Sequence, residues 1–243
     1  DPFFLSSMKK IDANIFVVIA YKIIPEELIS IPRYGAINLH ASLLPKYRGA
    51  APIHHAILNG ENKTGVSIFQ IQKYVDTGDL LSQMHYTLDQ NITTGKVYDD
   101  LAIIGGDLIV DTLNSLENNN ITPLKQDSSS ATFAPKISQS DCIIDWSNTV
   151  ENIHNQIRAF SPFPGAFTYF QNKRIKLFNT EIIKEDTNTK LKPGSIIYTN
   201  QRLKVGTGTG IIYINEIQIE GKKRMHVSDF IKGYPQLKKN IFG

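Results

Sequence analysis

The sequence predicts an α/β protein in which an open sheet is followed by a second, smaller β domain. In the first half of the chain, short apolar strands alternate with helical stretches, the pattern of a parallel sheet with crossover helices. In the second half, short strand-like segments are separated by glycine-containing turns, which is typical of a small closed or sandwich-like β domain. Residues 118–140 lack clear periodicity and mark the boundary.

The first half predicts its elements through local signals. A β-branched run indicates a buried parallel strand, proline favours a helix start, and glycine favours a helix end. Thr94 is predicted to cap the longest helix, and Gly105-Gly106 within that helix indicates a close contact with the sheet. The predicted elements are a strand at 15–20, a helix from Pro25, a strand at 36–40, a helix at 52–58 ended by Gly60, a strand at 65–72, a returning strand at 80–88, and a helix at 95–117.

The second half is predicted to begin with a helix capped by Ser147 and running through Phe160, followed by a rigid proline-rich turn at 161–165. Five short strands then fit an OB-type barrel. These strands are predicted at 166–170, 174–178, 194–198, 203–205 and 211–219.

Composition and charge narrow the functional class. The chain has 243 residues, 41% of them hydrophobic and 20% charged, which suits one or two globular domains. The longest apolar run is too short to cross a membrane and no signal peptide is visible. A single cysteine, Cys142, excludes an internal disulfide and fits a reducing compartment. We therefore expect a cytoplasmic protein.

The charge is unevenly distributed along the chain. Residues 1–136 carry 11 Lys and Arg against 14 Asp and Glu, a net charge of −3, whereas residues 137–243 carry 15 against 9, a net charge of +6. A basic second half hints at a polyanionic partner. A solvated, lysine-rich surface explains the same numbers.

Three polar residues are candidates for catalysis. Asn38 and His40 share one face at the C-terminal end of a predicted strand, and Asp76 lies in a loop of small residues after another strand. An amide and an imidazole can donate to a developing oxyanion, and a carboxylate orients the imidazole. The trio suits direct acyl transfer to an amine. The alternative is that these side chains only satisfy local backbone groups.

Motifs in both halves carry a family resemblance. The first half contains Asn-Leu-His-Ala-Ser-Leu-Leu-Pro at 38–45, Arg-Gly-Ala-Ala-Pro-Ile at 48–53, Thr-Gly-Val-Ser at 64–67 and Asp-Thr-Gly-Asp at 76–79. The second half contains matching segments at 145–147, 157–160, 162–165 and 192–194. Together they resemble the 10-formyltetrahydrofolate-dependent formyltransferases, and among them the methionyl-tRNA formyltransferases.

The resemblance implies a domain plan. It implies a Rossmann-like formyltransferase domain at 1–137, a linker at 138–146 and an OB-like, tRNA-binding domain at 147–243. Members of the family begin with more βα units than this chain does, so the resemblance also implies that the first domain is N-terminally incomplete. The implied enzyme transfers formyl groups to initiator methionyl-tRNA, with 10-formyltetrahydrofolate as donor, no metal and no obligatory protein partner, and we expect a monomer.

The resemblance also implies residue roles. Asn38 and His40 would hydrogen-bond the formyl oxygen, and Asp76 would hold His40 and take part in proton transfer. The folate would lie along residues 42–45, and strand 17–21 with the loop before Asp76 would wall the pterin pocket. The folate-binding residues are then Ser42, Leu43, Leu44 and Pro45.

Two basic runs in the second half are candidate phosphate contacts on their charge alone. They comprise Lys222, Lys223, Arg224, Lys238 and Lys239. A solvated turn and a solvated tail explain each run equally well.

Other functions stay open on the sequence. A formyltransferase acting on a sugar-nucleotide amine, a formyl-folate hydrolase and a formyl-folate dehydrogenase domain would carry the same trio. A non-catalytic RNA-binding remnant is a third possibility, because part of the catalytic domain is expected to be absent. The basic second half favours tRNA, since each neutralised phosphate adds affinity for a polyanion.

Overall fold

A computed structural model describes residues 2–19, 24–182, 191–199, 202–235 and 241–243. The chain divides into two compact units. The first comprises Asp1–Ala56, Asn62–Leu88 and Tyr98–Lys136. The second comprises Ile57–Glu61, Asp89–Val97 and Ile137–Gly243, so two short segments from early in the chain belong to it.

The first part of the chain builds a four-stranded sheet in the order β1-β2-β3-β4. Its elements are α1 (Pro2–Lys10), β1 (Phe16–Val18), α2 (Glu26–Ile29), β2 (Ala36–His40), α3 (Pro52–Leu58), β3 (Lys63–Gln70), β4 (Leu80–Thr87) and α4 (Thr94–Glu117). The predicted strands and helices are confirmed in type, and α1 is an addition that no sequence signal predicted.

The sheet is mixed, so the prediction of a parallel sheet holds for β1 and β2 but is wrong for β2 and β3, which are antiparallel although a helix lies between them in the chain. β1 and β2 are parallel, whereas β3 is antiparallel to both β2 and β4. The antiparallel pairing of β3 and β4 agrees with the predicted return of the second strand along the first, because residues 71–79 join them as a loop without a helix. A short loop joins antiparallel strands, whereas parallel neighbours need a longer crossover.

Apolar residues at helical spacing predict one buried stripe on α4, which the structure confirms only in part. The predicted stripe comprises Val97, Leu101, Ile104, Leu108, Val110 and Leu113. Val97, Leu101 and Leu108 are buried as the stripe predicts, but Val110 is 57% exposed. The predicted cap at Thr94 is also wrong. The Thr93 hydroxyl accepts the hydrogen bond from Lys96 N, at 3.5 Å, while the Thr94 hydroxyl donates to Ala159 O, at 2.6 Å.

The glycine pair in α4 marks a close contact with the sheet, as predicted, but through one glycine only. A Cβ atom at Gly105 would lie 2.8 Å from Leu39 Cδ1, inside van der Waals distance. A Cβ atom at Gly106 would meet nothing within 4 Å. Gly105 therefore allows the helix to approach β2 between the candidate catalytic residues Asn38 and His40.

The second part of the chain forms an antiparallel sheet in the order β5-β6-β9-β8-β7, with β10 paired to β9. Its elements are α5 (Val150–Ala159), β5 (Phe167–Phe170), β6 (Lys173–Ile182), β7 (Ile196–Thr199), β8 (Arg202–Gly206), β9 (Ile211–Ile219), β10 (Met225–His226) and α6 (Val227–Gly233). All five predicted strands are confirmed. No pairing between described residues joins β5 to β7, so the closed OB-type barrel stays a prediction.

The cap of α5 differs from its prediction by two residues. Thr149, not Ser147, accepts the hydrogen bond from Asn152 N, at 3.1 Å. Ser147 instead donates its hydroxyl to Asp145 Oδ1 at 2.6 Å in the preceding turn. Both residue types make good caps, so local sequence could not decide between the two positions.

Candidate active site

Asn38 is held in place by the parallel pair β1–β2. The two strands align Val18 with Asn38, and Asn38 Nδ2 donates a hydrogen bond to Val18 O at 3.0 Å. An amide nitrogen carries two hydrogens, so the second remains for another acceptor. Asn38 lines a cavity in this unit, which gives that acceptor a place.

His40 is buried, with 7% of its surface exposed. Its Nε2 lies 2.8 Å from Tyr47 O, and because a carbonyl oxygen only accepts, Nε2 carries the hydrogen. Its Nδ1 lies 3.8 Å from Asp76 Oδ2, which is too far for a hydrogen bond. In a neutral imidazole, Nδ1 would then face the carboxylate with a lone pair. If Nδ1 also carries a proton, the positively charged imidazolium of His40 and the carboxylate of Asp76 attract each other.

Asp76 is positioned by its own backbone and by the loop after β2. Its φ of 55° lies in the left-handed region, which aspartate tolerates better than most residues. Its Oδ2 accepts a hydrogen bond from Gly49 N at 2.8 Å. Gly49 has a φ of 122°, and a Cβ atom there would lie 2.6 Å from Ala134 O, so only glycine fits. The structure thus brings Asp76 to His40 through a glycine turn.

Asn38 and Asp76 line the same cavity, whose volume is about 110 Å³. Val18, from the strand that the resemblance implied for the pterin pocket, also lines it, whereas Val17 and Ile19 do not. That this cavity holds a pterin stays a prediction. Ala20 and Tyr21, which were predicted to take part, lie outside the described residues. The remaining wall is formed by Ile24, Phe69, Ile71, Gln72, Lys73, Tyr74 and Val75.

The four predicted folate-binding residues differ in what they can offer a ligand. Ser42 and Leu44 are 0% and 3% exposed, and Leu44 packs in the core with Phe69 and Leu80. Leu43 and Pro45 are half-buried. The cavity wall contains none of the four. Ser42 and Leu44 therefore present almost no surface to a ligand in this structure, whereas Leu43 and Pro45 do.

A polar framework that sequence reasoning missed supports this loop. Ser67 Oγ accepts from Leu44 N at 3.0 Å and donates to Ser42 O at 2.6 Å. Gln83 Nε2 donates to Leu44 O at 2.9 Å and to Ser67 Oγ at 2.8 Å. The available sequence signal was a serine, Ser67, between the apolar residues Val66 and Ile68 of the predicted strand. The structure shows that it is fully buried.

Gln126 was also missed, although it contacts both loops of the candidate site. It is 6% exposed, and it bonds the side chain of Arg48 and the backbone of Asp76. No sequence signal marks it, because it lies in an aperiodic stretch between α4 and the second unit.

In the second unit, the predicted phosphate contacts lie on the turn between β9 and β10. Lys222, Lys223 and Arg224 are all exposed. The Arg224 guanidinium lies 4.2 Å from the centre of the Phe178 ring and forms an ion pair with Glu216. Lys238 and Lys239 lie outside the described residues.

Arg224 also lines a polar cavity of about 290 Å³ in this unit. Arg158, another cation of the wall, is 6% exposed and donates to the backbone carbonyls of Asp89 and Ile92, at 3.3 Å each. The other lining residues are Asn91, Thr93, His154, Ile157, Asn179 and Thr180. The exposed Arg224, a predicted phosphate contact, and the buried Arg158 therefore line the same cavity.

The described residues form neither a metal-binding cluster nor a membrane-spanning helix. No three His, Cys, Asp or Glu side chains come close enough together to bind a metal ion in the part of the chain that the structure describes. None of the helices there combines the length and apolar character needed to cross a bilayer.

Both halves of the chain match models of known protein families. A family model described as "Formyl transferase" matches residues 1–113, and one described as "Formyl transferase, C-terminal domain" matches residues 136–235. The chain belongs to the formyl transferase family. The candidate residues Asn38, His40 and Asp76 fall in the first match, and the basic turn falls in the second.

Relatives and structures place this formyl transferase more closely. A protein of Clostridium novyi named methionyl-tRNA formyltransferase is 42% identical over 96% of this chain and 75% of its own length. One of Pelotomaculum thermopropionicum with the same name is 39% identical over 100% and 78%. The structure of HypX from Aquifex aeolicus in complex with tetrahydrofolic acid shares the fold, with a TM-score of 0.69 and 18% identity over 96% of this chain and 41% of that one.

Proposed function

We propose that this formyl transferase moves a formyl group from 10-formyltetrahydrofolate to the α-amino group of initiator methionyl-tRNA. The observation that carries the proposal is the likeness to proteins named methionyl-tRNA formyltransferase, at 42% and 39% identity across nearly the whole chain. A folate donor is supported by the shared fold of HypX, whose structure holds tetrahydrofolic acid.

We assign stabilisation of the oxyanion to Asn38. When the amine attacks the formyl carbon, a C–N bond forms and the carbonyl oxygen takes up negative charge. The amide hydrogen of Asn38 that is not bonded to Val18 O can donate to that oxygen. A donor held in place before the reaction stabilises such a charge without reorganisation.

The resemblance implied a hydrogen bond from His40 to the formyl oxygen and proton transfer by Asp76; because Nε2 of His40 bonds Tyr47 O, we assign His40 to proton transfer together with Asp76. The attacking nitrogen must lose a proton, and N10 of the folate must gain one as its bond to the formyl carbon breaks. Nε2 of His40 is held by Tyr47 O, so the Nδ1 side, 3.8 Å from Asp76 Oδ2, is where a proton can be taken up and released. Hydrogen bonds between catalytic groups are often long before the substrate binds, and they shorten in the complex.

The remaining roles follow the same proposal. Residues 1–137 hold the catalytic domain, 138–146 the linker, and 147–243 an OB-like domain that contacts tRNA through Lys222, Lys223 and Arg224. We assign the contacts along the folate to Ser42, Leu43, Leu44 and Pro45, of which Leu43 and Pro45 are the two that expose part of their surface. The free thiol of Cys142 supports a cytoplasmic enzyme.

The test is formation of formyl-methionyl-tRNA from charged initiator tRNA and the folate donor. We expect Asn38→Ala, His40→Ala and Asp76→Ala each to lower kcat by about 100-fold or more, with tRNA binding unchanged. His55→Ala is the matched control for His40, because His55 Nε2 also contacts a backbone carbonyl, Pro135 O, at 3.0 Å. It should keep full activity.

The outcomes separate the alternatives. Full activity of His40→Ala would contradict the mechanism. Transfer only to a sugar-nucleotide amine, or to water, would make the protein another enzyme of this family. Binding of tRNA without transfer by the wild-type chain would make it an RNA-binding remnant.

A further inference from the structure

We propose that Gln126 is a positioning residue for formyl transfer, which keeps the Asp76 carboxylate beside His40. The inference rests on the proposed function, since it assigns a role in that reaction. Gln126 uses both ends of its side-chain amide to join the loop after β2 to the loop after β3.

Hydrogen bonds within the protein engage both the nitrogen and the oxygen of the Gln126 side-chain amide. Nε2 donates to Asp76 O at 3.0 Å and to Gly78 O at 2.7 Å, so both of its hydrogens are used. Oε1 accepts from Arg48 Nη2 at 2.6 Å and from Arg48 Nε at 3.2 Å. Carbonyl oxygens only accept and a guanidinium only donates, so the amide has one possible orientation. Gln126 and Arg48 are each 6% exposed, so water does not compete.

These contacts act on Asp76 from two sides. The backbone carbonyl of Asp76, a residue with a φ of 55°, is held by Nε2. The Asp76 carboxylate is held by Gly49 N at 2.8 Å, and Gly49 directly follows Arg48. Arg48 is itself anchored, because its backbone N donates to Thr132 O at 2.9 Å and its carbonyl accepts from Ala134 N at 2.7 Å. Gln126 therefore sets the distance between Asp76 and His40 without touching the reacting atoms.

The linkage needs a side chain at position 126 that both donates to the two carbonyl oxygens and accepts from Arg48, and a neutral amide does both. Glutamate at this position keeps the acceptor for Arg48 and forms an ion pair with it, but it turns an oxygen toward two carbonyl oxygens. The variant Gln126→Glu therefore removes only the donor half of the linkage and leaves the Arg48 half in place. A displacement of about 1 Å at a catalytic group costs on the order of 100-fold in rate.

The experiment measures kcat and KM of Gln126→Glu in formyl transfer to methionyl-tRNA. We expect kcat to fall about 10- to 100-fold, with KM for folate and for tRNA within about 3-fold of wild type. Gln156→Glu is the matched control, because Gln156 Nε2 also donates to two backbone carbonyls, Asp141 O at 2.7 Å and Ile143 O at 3.0 Å, in the second unit. Its kcat should stay within about 2-fold.

A double-mutant cycle separates positioning from mere support of the fold. If Gln126 acts through Asp76, Gln126→Glu causes no further loss of kcat in an Asp76→Asn background. Equal losses in both backgrounds, or equal losses for Gln126→Glu and Gln156→Glu, would overturn the proposal. If the wild-type chain does not transfer formyl groups, the proposed function fails. If it does and Gln126→Glu matches it, only this inference fails.

Discussion

Among single residues, His154 couples the stability of the second unit to pH. It is 6% exposed, and its ring nitrogens lie 2.7 Å from Thr180 Oγ1 and 3.0 Å from Gln90 O. Burial lowers the pKa of His154 below its usual 6.5. The unfolded chain therefore binds a proton more readily than the folded one, and stability falls as the pH drops below about 6.5.

Replacing His154 tests this coupling. We expect the free energy of unfolding of wild type to lose up to about 1.4 kcal/mol per pH unit from this group between its unfolded and folded pKa values. His154→Gln should lack that component, so its deficit relative to wild type shrinks from pH 7.5 to pH 5.5. Urea unfolding at both pH values measures it. His85→Gln, at an exposed position, is the control, and a constant deficit for His154→Gln would contradict the assignment.

Among the elements, α4 carries a test of its contact with β2. Gly106 faces open space, so Gly106→Ala should raise the free energy of unfolding by about 0.5–1 kcal/mol through helix propensity. Gly105→Ala gains the same propensity but places a methyl group 2.8 Å from Leu39 Cδ1, and overpacking costs about 1–3 kcal/mol. It should gain nothing or lose stability.

The two variants are each other's control, because they lie side by side in one helix. Thermal or urea unfolding measures both. Leu39 lies between Asn38 and His40 on β2, so Gly105→Ala should also lower the rate of formyl transfer, whereas Gly106→Ala should not. Equal stabilisation by both variants would show that the close contact does not constrain the helix.

For the whole molecule, the basic character of the second half predicts how tRNA binds. Neutralising phosphates releases counterions, so affinity should fall steeply with salt. Arg224→Ala should lower the magnitude of the slope of log K against log salt by about 1 if Arg224 contacts a phosphate. Filter binding or fluorescence titration at several salt concentrations measures the slope.

Arg174→Ala is the matched control for this measurement. Arg174 also lies near an acid and an aromatic ring, 4.0 Å from Glu220 and 5.4 Å from the centre of the Phe167 ring. It does not line the polar cavity that Arg224 lines. An equal change in slope for both variants would mean that general charge, rather than the β9–β10 turn, attracts the tRNA. A salt-independent affinity would contradict a tRNA-binding second half.

Local patterns were sufficient for most elements and for the family. The run at 36–40 alternates in a way that places Asn38 and His40 on one face, and the predicted strand coincides with β2. Gly60 ends α3 with a φ of 67°, as a C-terminal glycine should. These features depend on residues close together in the chain, so periodicity and turn chemistry predict them.

Tertiary structure decided what depends on distant residues. The strand directions beyond β2, the burial of Ser42 and Leu44, and the role of Gln126 all arise from contacts across many positions of the chain. The Asn38–His40–Asp76 trio was predicted by type, but Gly49, Tyr47 and Gln126 set its geometry. A hydrogen bond depends on distance and direction in space, and neither is written in the spacing of residues along the chain.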